Sequence, residues 1–458
     1  MKKIYSLSFL CLLGANTLWA QVPANIANKL NRTYDSLCAK LNIKGSAAAV
    51  LIPNMGVWKR SYGVSHEGVP ATNEMLFTLG SNTKTYTSSV VLKLHELKLL
   101  SLSDTIGKWF TNNPNINGKI TITQLLNHTS GVASYTENAA FWELVNADLT
   151  KKWTPEEIVP YIPAPSFALG TRWEYSNSNF LLAGLIIKQV TGKSLANAYQ
   201  TYIYTPLNIT NTKLLSEETT NAEVAHHWSV GIGFPKLTDW EQLGLSYDAM
   251  NSVAWAAGGL YATADDNVHY LNGLFNTNKI ISDSMLAKLK TTRSIGSGAG
   301  YGLGIFSYNN FNGRTVYGHG GTNVGGINEN IFDPVTKVSI SVLTNQDSID
   351  NNTILTRVVF NLHKDLVALK VGVNELNNIV KTQVDVFPNP SQGLVNIQSN
   401  EPITNLTVTN ISGKTVLALN NLNTSNLPLD IGHLNQGVYF INGVTNQGTF
   451  VQKIVLSK

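Results

Sequence analysis

The chain has 458 residues, 33 of them basic and 29 acidic, and charged residues make up only 14% of the total. This near-neutral balance gives no electrostatic footprint for nucleic acid or an acidic membrane surface. The length predicts two or three domains, and with only Cys11 and Cys38 the chain is no disulfide-stapled miniature.

In chain order, Met1 to Ala20 reads as a secretory signal peptide. Lys2 and Lys3 form its positive region, Leu7 to Leu13 its apolar run, and Ala20 precedes the cleavage point. That run is too short to span a membrane, so no transmembrane segment is expected. Leu10 before Cys11 does not fit a lipoprotein site. Cleavage would leave 31 basic residues against 29 acidic, and Cys38 with no intramolecular partner. Set among Leu37, Leu41 and Ile43, Cys38 is expected at a buried helix position.

Residues 24–42 carry an amphipathic helical pattern. Ala47 to Ile52 and Val57 to Tyr62 alternate as strands about the turn Pro53-Asn54-Met55-Gly56. From Thr83 to Leu99 there is no Gly or Pro, and Val90, Val91, Leu92, Leu94 and Leu97 recur at helical spacing. Further helices are expected at 155–161, 178–191, 194–204, 264–275, 281–291 and 352–369. Strands are expected at 302–308, 313–317, 328–333 and 337–344. Strands at both ends with helices between them imply an α+β domain whose sheet joins distant segments.

The candidate chemistry begins at Leu79-Gly80-Ser81-Asn82-Thr83-Lys84. On a helix, positions i and i+3 share a face, so Lys84 can reach Ser81 and, if desolvated, act as the base that a serine nucleophile needs. Ser81 would also lie at a helix N-terminus, which favours developing negative charge. The plain alternative is a serine that merely caps the helix. A second candidate is Tyr175-Ser176-Asn177, on a loop before an apolar helix. A tyrosine near a lysine cation is expected to have a lowered pKa and to shuttle protons to a leaving group. Asn177 offers an amide for a substrate amide. The third is His319-Gly320-Gly321-Thr322, whose glycines let another backbone approach and whose strand edge offers an oxyanion N–H. No metal or cofactor is expected: there is no His-Glu-x-x-His, and the neighbours His226 and His227 do not share a helical face. Gly-x-Ser-x-Gly is absent too, which disfavours an α/β-hydrolase.

The order Ser-x-x-Lys, Tyr-x-Asn, His-Gly-Gly, spaced by about 90 and 140 residues, resembles the serine β-lactamase-like family. That family includes class C β-lactamases, D-alanyl-D-alanine carboxypeptidases of the penicillin-binding type, D-aminopeptidases and esterases. Tyr62-Gly63, Ile122 to Gly131, Ala257-Gly258-Gly259-Leu260 and Gly318 extend the likeness over roughly residues 30–365. The resemblance implies an antiparallel sheet flanked by helices with an inserted all-helical subdomain. It also implies Ser81 as acylated nucleophile, Lys84 as its proton partner and Tyr175 as acid or base. Asn177, His319, Gly320, Gly321 and Thr322 would hold the substrate, with His319 in the cationic position and Thr322 as oxyanion donor. His128 reads as supporting structure beside the site. Where the class C enzymes carry lysine, histidine stands at 319, which points to carboxypeptidase, aminopeptidase or esterase relatives acting on a small peptide, ester or amide. A non-catalytic binding or sensing module is the competing class.

After Leu369 the composition shifts. Short strands are expected at Leu394–Gln398, Leu406–Thr409, Thr415–Leu419, Val438–Ile441 and Phe450–Leu456, forming a small β-sandwich. Pro388-Asn389-Pro390-Ser391-Gln392-Gly393, Gly437 to Ile441 and Lys453 to Lys458 resemble the type IX secretion sorting domain typical of the Bacteroidetes. The expected organisation is a signal peptide at 1–20, a hydrolase domain at 21–370, a linker at 371–384 and the sorting domain at 385–458. That implies a secreted or surface-attached protein with the secretion machinery as partner.

Overall fold

A computed structural model describes residues 22–457 apart from 111–112, 232–233, 246, 348–350, 372–383, 412 and 446–447. The expected signal peptide lies outside the described residues, as does nearly all of the expected linker. The chain divides into two compact units, residues 1–372 and 373–458.

The first unit is organised by a ten-stranded sheet. Its strands are β1 (Gly45–Ile52), β2 (Gly56–His66), β3 (Val69–Pro70), β4 (Arg293–Gly296), β5 (Ala299–Tyr301), β6 (Phe306–Phe311), β7 (Arg314–Gly318), β8 (Gly321–Asn323), β9 (Gly326–Phe332) and β10 (Ser339–Thr344). The order across the sheet is β3-β2-β1-β10-β9-β7-β6-β5-β4, with β8 also pairing β9. The β1–β2 turn follows the sequence expectation, with Asn54 and Gly56 at positive φ. Strand β1 pairs antiparallel with β10, Ser46 opposite Thr344, so the two ends of the unit are stitched together at its centre.

Every residue of β1, β9 and β10 is buried, because helices cover both faces of the central strands. Successive side chains on a strand point to opposite faces. Ala48, Val50 and Ile52 therefore pack with Leu30 and Tyr34 of α1 (Ala24–Lys40) and with Val358 and Leu362 of the helix Asn351–Ala368. Ala47, Ala49 and Leu51 face the other layer, with Val268 and Leu271 of the helix Ala264–Asn276. Cys38 is buried on α1 as its apolar setting predicts, and burial pushes its thiol up to about 12, so it is held as an inert thiol.

Helix α2 (Thr83–Glu96) runs through the larger core with all residues from Thr83 to Leu92 buried. A helix buried on every side needs no single apolar stripe, and apart from Ser88 its serines and threonines find partners inside. Thr85 Oγ1 bonds Gly304 O at 2.8 Å and Thr87 Oγ1 bonds Ala256 O at 2.8 Å. Two further helices cross α2: α3 (Asn177–Thr191), expected from the sequence, and α4 (Tyr247–Gly258), which was not.

The expected strand at 302–308 begins only at Phe306, since Gly302 and Gly304 form a turn against Leu289 and Leu126.

The second unit has its own core, including Val395, Ile397, Ile403, Leu406, Ile441 and Ile454. Its strands are β11 (Val384–Phe387), β12 (Leu394–Asn410), β13 (Thr415–Leu419), β14 (Thr424–Asp430), β15 (Gly437–Thr445) and β16 (Gly448–Leu456). The two strands expected at 394–398 and 406–409 are one continuous strand, β12. Its first half pairs β11 and β14, and after a register shift its second half pairs β13 and β15. Such an irregularity lets one strand bend from one layer to another, which is why its alternation lapses around Pro402.

Candidate active site

Ser81 is the middle residue of a single 3₁₀ turn, Gly80–Asn82, that feeds directly into α2. Gly80 enters it at φ 44°, a left-handed value that only glycine adopts without cost. Lys84 follows one turn later and is completely buried. Its Nζ lies 3.0 Å from Ser81 Oγ, 2.7 Å from Asn177 Oδ1 and 2.6 Å from Ala257 O. Among the described residues no carboxylate pairs with it, and burial holds its amine well below the usual lysine range. A neutral amine has two N–H groups and one lone pair. In that form Asn177 and Ala257 would take the two hydrogens, and the lone pair would be left for the Ser81 hydroxyl.

Two features place those acceptors. Asn177 opens α3, with its own N–H on Ser134 Oγ at 3.1 Å and its Nδ2 on Thr136 Oγ1 at 3.1 Å. Both ends of the amide are therefore committed, and its oxygen serves Lys84, where the sequence reading had it orient substrate. Ala257 O is delivered by a kink: Trp255 sits inside α4 at φ 34°, ψ −118°. Such a conformation costs of order 1–3 kcal/mol and persists only where packing fixes it. Here Trp255 Nε1 bonds Glu217 Oε1 at 2.7 Å, and the next two carbonyls turn to Thr87 and Lys84.

Tyr175 stands over the lysine, with Lys84 Nζ 4.8 Å from its ring centre. Its buried hydroxyl makes no hydrogen bond, although Ser81 is the neighbour that draws its pKa down. The expected lowering is overturned: burial dominates and raises the phenol above its ordinary value. Desolvation outweighs the one lowering neighbour, Ser81, so Tyr175 keeps its proton.

His319 departs from its expected cationic role for the same reason. It is 2% exposed, and burial is the main cause that lowers its imidazole to about 3. Its bonds form a directed chain. The Ser176 N–H and Asn179 Nδ2 reach His128 Nδ1 at 3.2 and 2.9 Å, so His128 carries its hydrogen on Nε2. That Nε2–H donates to the Tyr301 hydroxyl at 3.2 Å, which donates to His319 Nε2 at 3.2 Å. His319 Nδ1–H then donates to Gly320 O at 2.5 Å. His128 supports the site from behind, as the sequence reading has it; Tyr301, which carried no sequence signal, is the link.

The chain of bonds ends on the backbone that meets Ser81. A Cβ on Gly80 would stand 2.7 Å from Thr322 N, and one on Gly321 would stand 2.7 Å from Ser81 N and 2.1 Å from Leu79 O. Only glycines permit this contact, which brings the Ser81 and Thr322 amides side by side. Asn328 Nδ2, bonded to Leu79 O at 2.6 Å, pins β9 to the same point. In front lies a cavity of about 990 Å³ lined by Ser81, Tyr175, His319, Gly320, Gly321 and Thr322, and by Trp173, Phe306, Tyr308 and Glu329, which the sequence did not single out. All eight residues picked from the sequence are thus at one place.

A helix-buried Ser–Lys pair beside a glycine-edged strand, in an antiparallel sheet with a helical insert, defines the class of serine acyl-transfer hydrolases with the penicillin-recognising fold. Residues 30–362 match the family described as Beta-lactamase, and the chain belongs to that family of serine hydrolases. Residues 385–457 match the secretion system C-terminal sorting domain, so the tail is a sorting domain of the type IX system.

Penicillin-binding protein 4* of Bacillus subtilis is 26% identical over 209 residues, 44% of this chain and 45% of that protein. Penicillin-binding protein 4 of Amycolatopsis lactamdurans is 24% identical over 366 residues, 74% of this chain and 89% of that protein. Among solved structures, a D-stereospecific amidohydrolase from Streptomyces sp. superposes with a TM-score of 0.63 at 27% identity, covering 73% of this chain and 97% of that one. The chain thus spans less than half of the Bacillus protein's length but nearly all of the other two.

Proposed function

We propose that this chain is an exported hydrolase that cleaves amide bonds of D-amino-acid derivatives through an acyl-enzyme on Ser81. The observation that carries the reading is the Lys84 environment: a buried amine with two hydrogen-bond acceptors, and the Ser81 hydroxyl as the third neighbour. Ser81 Oγ attacks the carbonyl carbon as its proton passes to Lys84. The oxyanion is held by the Ser81 and Thr322 N–H groups. Tyr175 gives its phenolic proton to the leaving nitrogen as the C–N bond breaks, and recovers one from Lys84. Water then enters by the same steps in reverse and releases the acid.

The similarity to a D-stereospecific amidohydrolase supports the acyl preference. The neutral His319 argues against a substrate anchored by its carboxylate at that position, as penicillins and carboxypeptidase substrates are. Incubating the full chain with the p-nitroanilides of D- and L-alanine, beside Ser81→Ala, tests this. Turnover of the D form with a mass adduct on Ser81 is expected. Equal turnover of both forms refutes the stereochemical part, and a lasting penicillin adduct without anilide turnover moves the protein to the carboxypeptidases. No adduct with any of them leaves the fold as a binding module.

A further inference from the structure

The cavity in front of Ser81 extends to a wall that the acyl-transfer steps do not use. Phe306, Tyr308 and Phe360 line it together with Glu329, and the exposed Arg357 lines it too. Glu329 projects from β9 and is 8% exposed. Its carboxylate accepts from Thr356 Oγ1 at 3.0 Å and from the Tyr308 hydroxyl at 3.4 Å, and among the described residues it pairs with no basic side chain. A buried carboxyl with no cation is costly to ionise, and it faces the substrate space.

The strand beside Ser81 tells which part of a substrate lies there. Gly321 abuts the Ser81 amide, and Thr322 follows it. Gly320 precedes it, and a Cβ on Gly320 would stand 3.1 Å from Glu329 Oε2. Tyr175, the donor to the leaving atom, looks toward the same end, its ring 6.3 Å from that of His319. The leaving group therefore departs past His319 and Gly320, toward Glu329.

We propose that Glu329 is the specificity residue of the leaving-group subsite and selects substrates whose leaving group carries an ammonium or quaternary ammonium. This rests on the acyl-transfer reading above. Three observations converge on it. The carboxylate lacks a counter-charge. Phe306 and Tyr308, stacked at 5.8 Å, present the aromatic walls that cations favour. The missing side chain of Gly320 leaves the carboxylate reachable. A cationic leaving group completes the pair, a neutral one leaves a buried carboxylate uncompensated, and an anionic one meets like charge.

The groups facing Glu329 are Tyr308 from β6, Thr356 and Arg357 from the helix Asn351–Ala368, and His319 beyond β7. Burial raises the Tyr308 phenol, His319 is held neutral, and Arg357 is exposed to screening solvent. Burial raises the Glu329 carboxyl to about 7, so its negative charge appears as pH rises through neutrality.

The test uses one acyl donor, N-acetyl-D-alanine, esterified to choline or to 3,3-dimethylbutanol, which replaces the cationic nitrogen by carbon. At pH 8 the full chain is expected to favour the choline ester by about tenfold or more in kcat/KM. The preference should shrink by pH 6 and vanish in Glu329→Gln. Equal rates for the two esters, or a preference that survives Glu329→Gln, overturn the proposal. If neither ester turns over, the acyl-transfer reading is what fails, and calorimetric binding to Ser81→Ala still decides the subsite. Choline that binds more tightly at pH 8 than at pH 6, and not after adding Glu329→Gln, upholds it; absent or pH-independent binding refutes it.

Discussion

Burial favours the uncharged amine of Lys84, and that bias is set by what surrounds it. Its three neighbours are two carbonyl-type oxygens and a hydroxyl, none of them anionic, so desolvation lowers its pKa unopposed. Protonation would add a third N–H and take away the lone pair that Ser81 needs. Activity should therefore fall as pH drops through the lowered lysine pKa, an acid limb well below 10.5 in kcat/KM. Lys84→Arg, which keeps a cation that does not deprotonate, should lose about 10³-fold or more in acylation rate. Stopped-flow acylation by an activated ester measures both effects, and an active arginine variant would show that charge, not proton transfer, is what the site requires. Ser81 and Lys84 were legible in the sequence because one helical turn brings them together with no help from the rest of the fold. The charge states were not: a lowered Tyr175 and a cationic His319 are reasonable until burial is known, and burial decides both against the expectation.

At the scale of elements, the oxyanion edge is placed by contacts between backbones. The turn at Gly80–Asn82 and strand β8 touch through Gly80 and Gly321, and the His128–Tyr301–His319 chain fixes the Gly320 carbonyl just before it. Gly321→Ala puts a methyl group 2.1 Å from Leu79 O. Asn328 Nδ2, also 2.7 Å away, belongs to a side chain, but Leu79 O and the Ser81 amide are backbone and do not swing away, so the strand must move. We expect a loss of about 1–3 kcal/mol in stability and about 10²-fold or more in kcat as the Thr322 amide leaves the oxyanion position; urea unfolding and steady-state kinetics read the two separately. Tyr301→Phe removes one hydroxyl but strands two histidine nitrogens, His128 Nε2–H and His319 Nε2, in a dry interior. That should cost about 1–3 kcal/mol, measurable as a shifted denaturation midpoint with unchanged slope, whereas an indifferent variant would mean that water replaces the hydroxyl. The sequence announced the two glycines and both histidines as motif members, but not the tyrosine that joins them. Nor did it announce the kink at Trp255, because a non-helical residue inside an apolar helix leaves no trace in periodicity. Glu329 was silent for a related reason: in a run of alternating strand residues, one acid on a buried face looks like any other polar position.

For the whole molecule, each of the two units has its own apolar core among the described residues. Each is therefore expected to fold without the other. Residues 22–372 alone should keep the catalytic constants of the full chain, and a melting temperature within a few degrees of it. Loss of activity on removing the tail would show that the catalytic unit depends on it. The tail's function is export, and that bears on where substrate is met. An enzyme that trims its own cell wall works beneath the outer membrane, whereas a type IX sorting domain carries its passenger across that membrane. In a host carrying that secretion system, the full chain should fractionate outside the cell or on its surface, and a chain ending at residue 384 should stay in the periplasm. Mature enzyme found mostly in the periplasm would point back to the cell's own wall. Enzyme found outside would point to D-amino-acid amides and peptides of external origin, and, if Glu329 acts as argued, to those whose leaving portion is cationic.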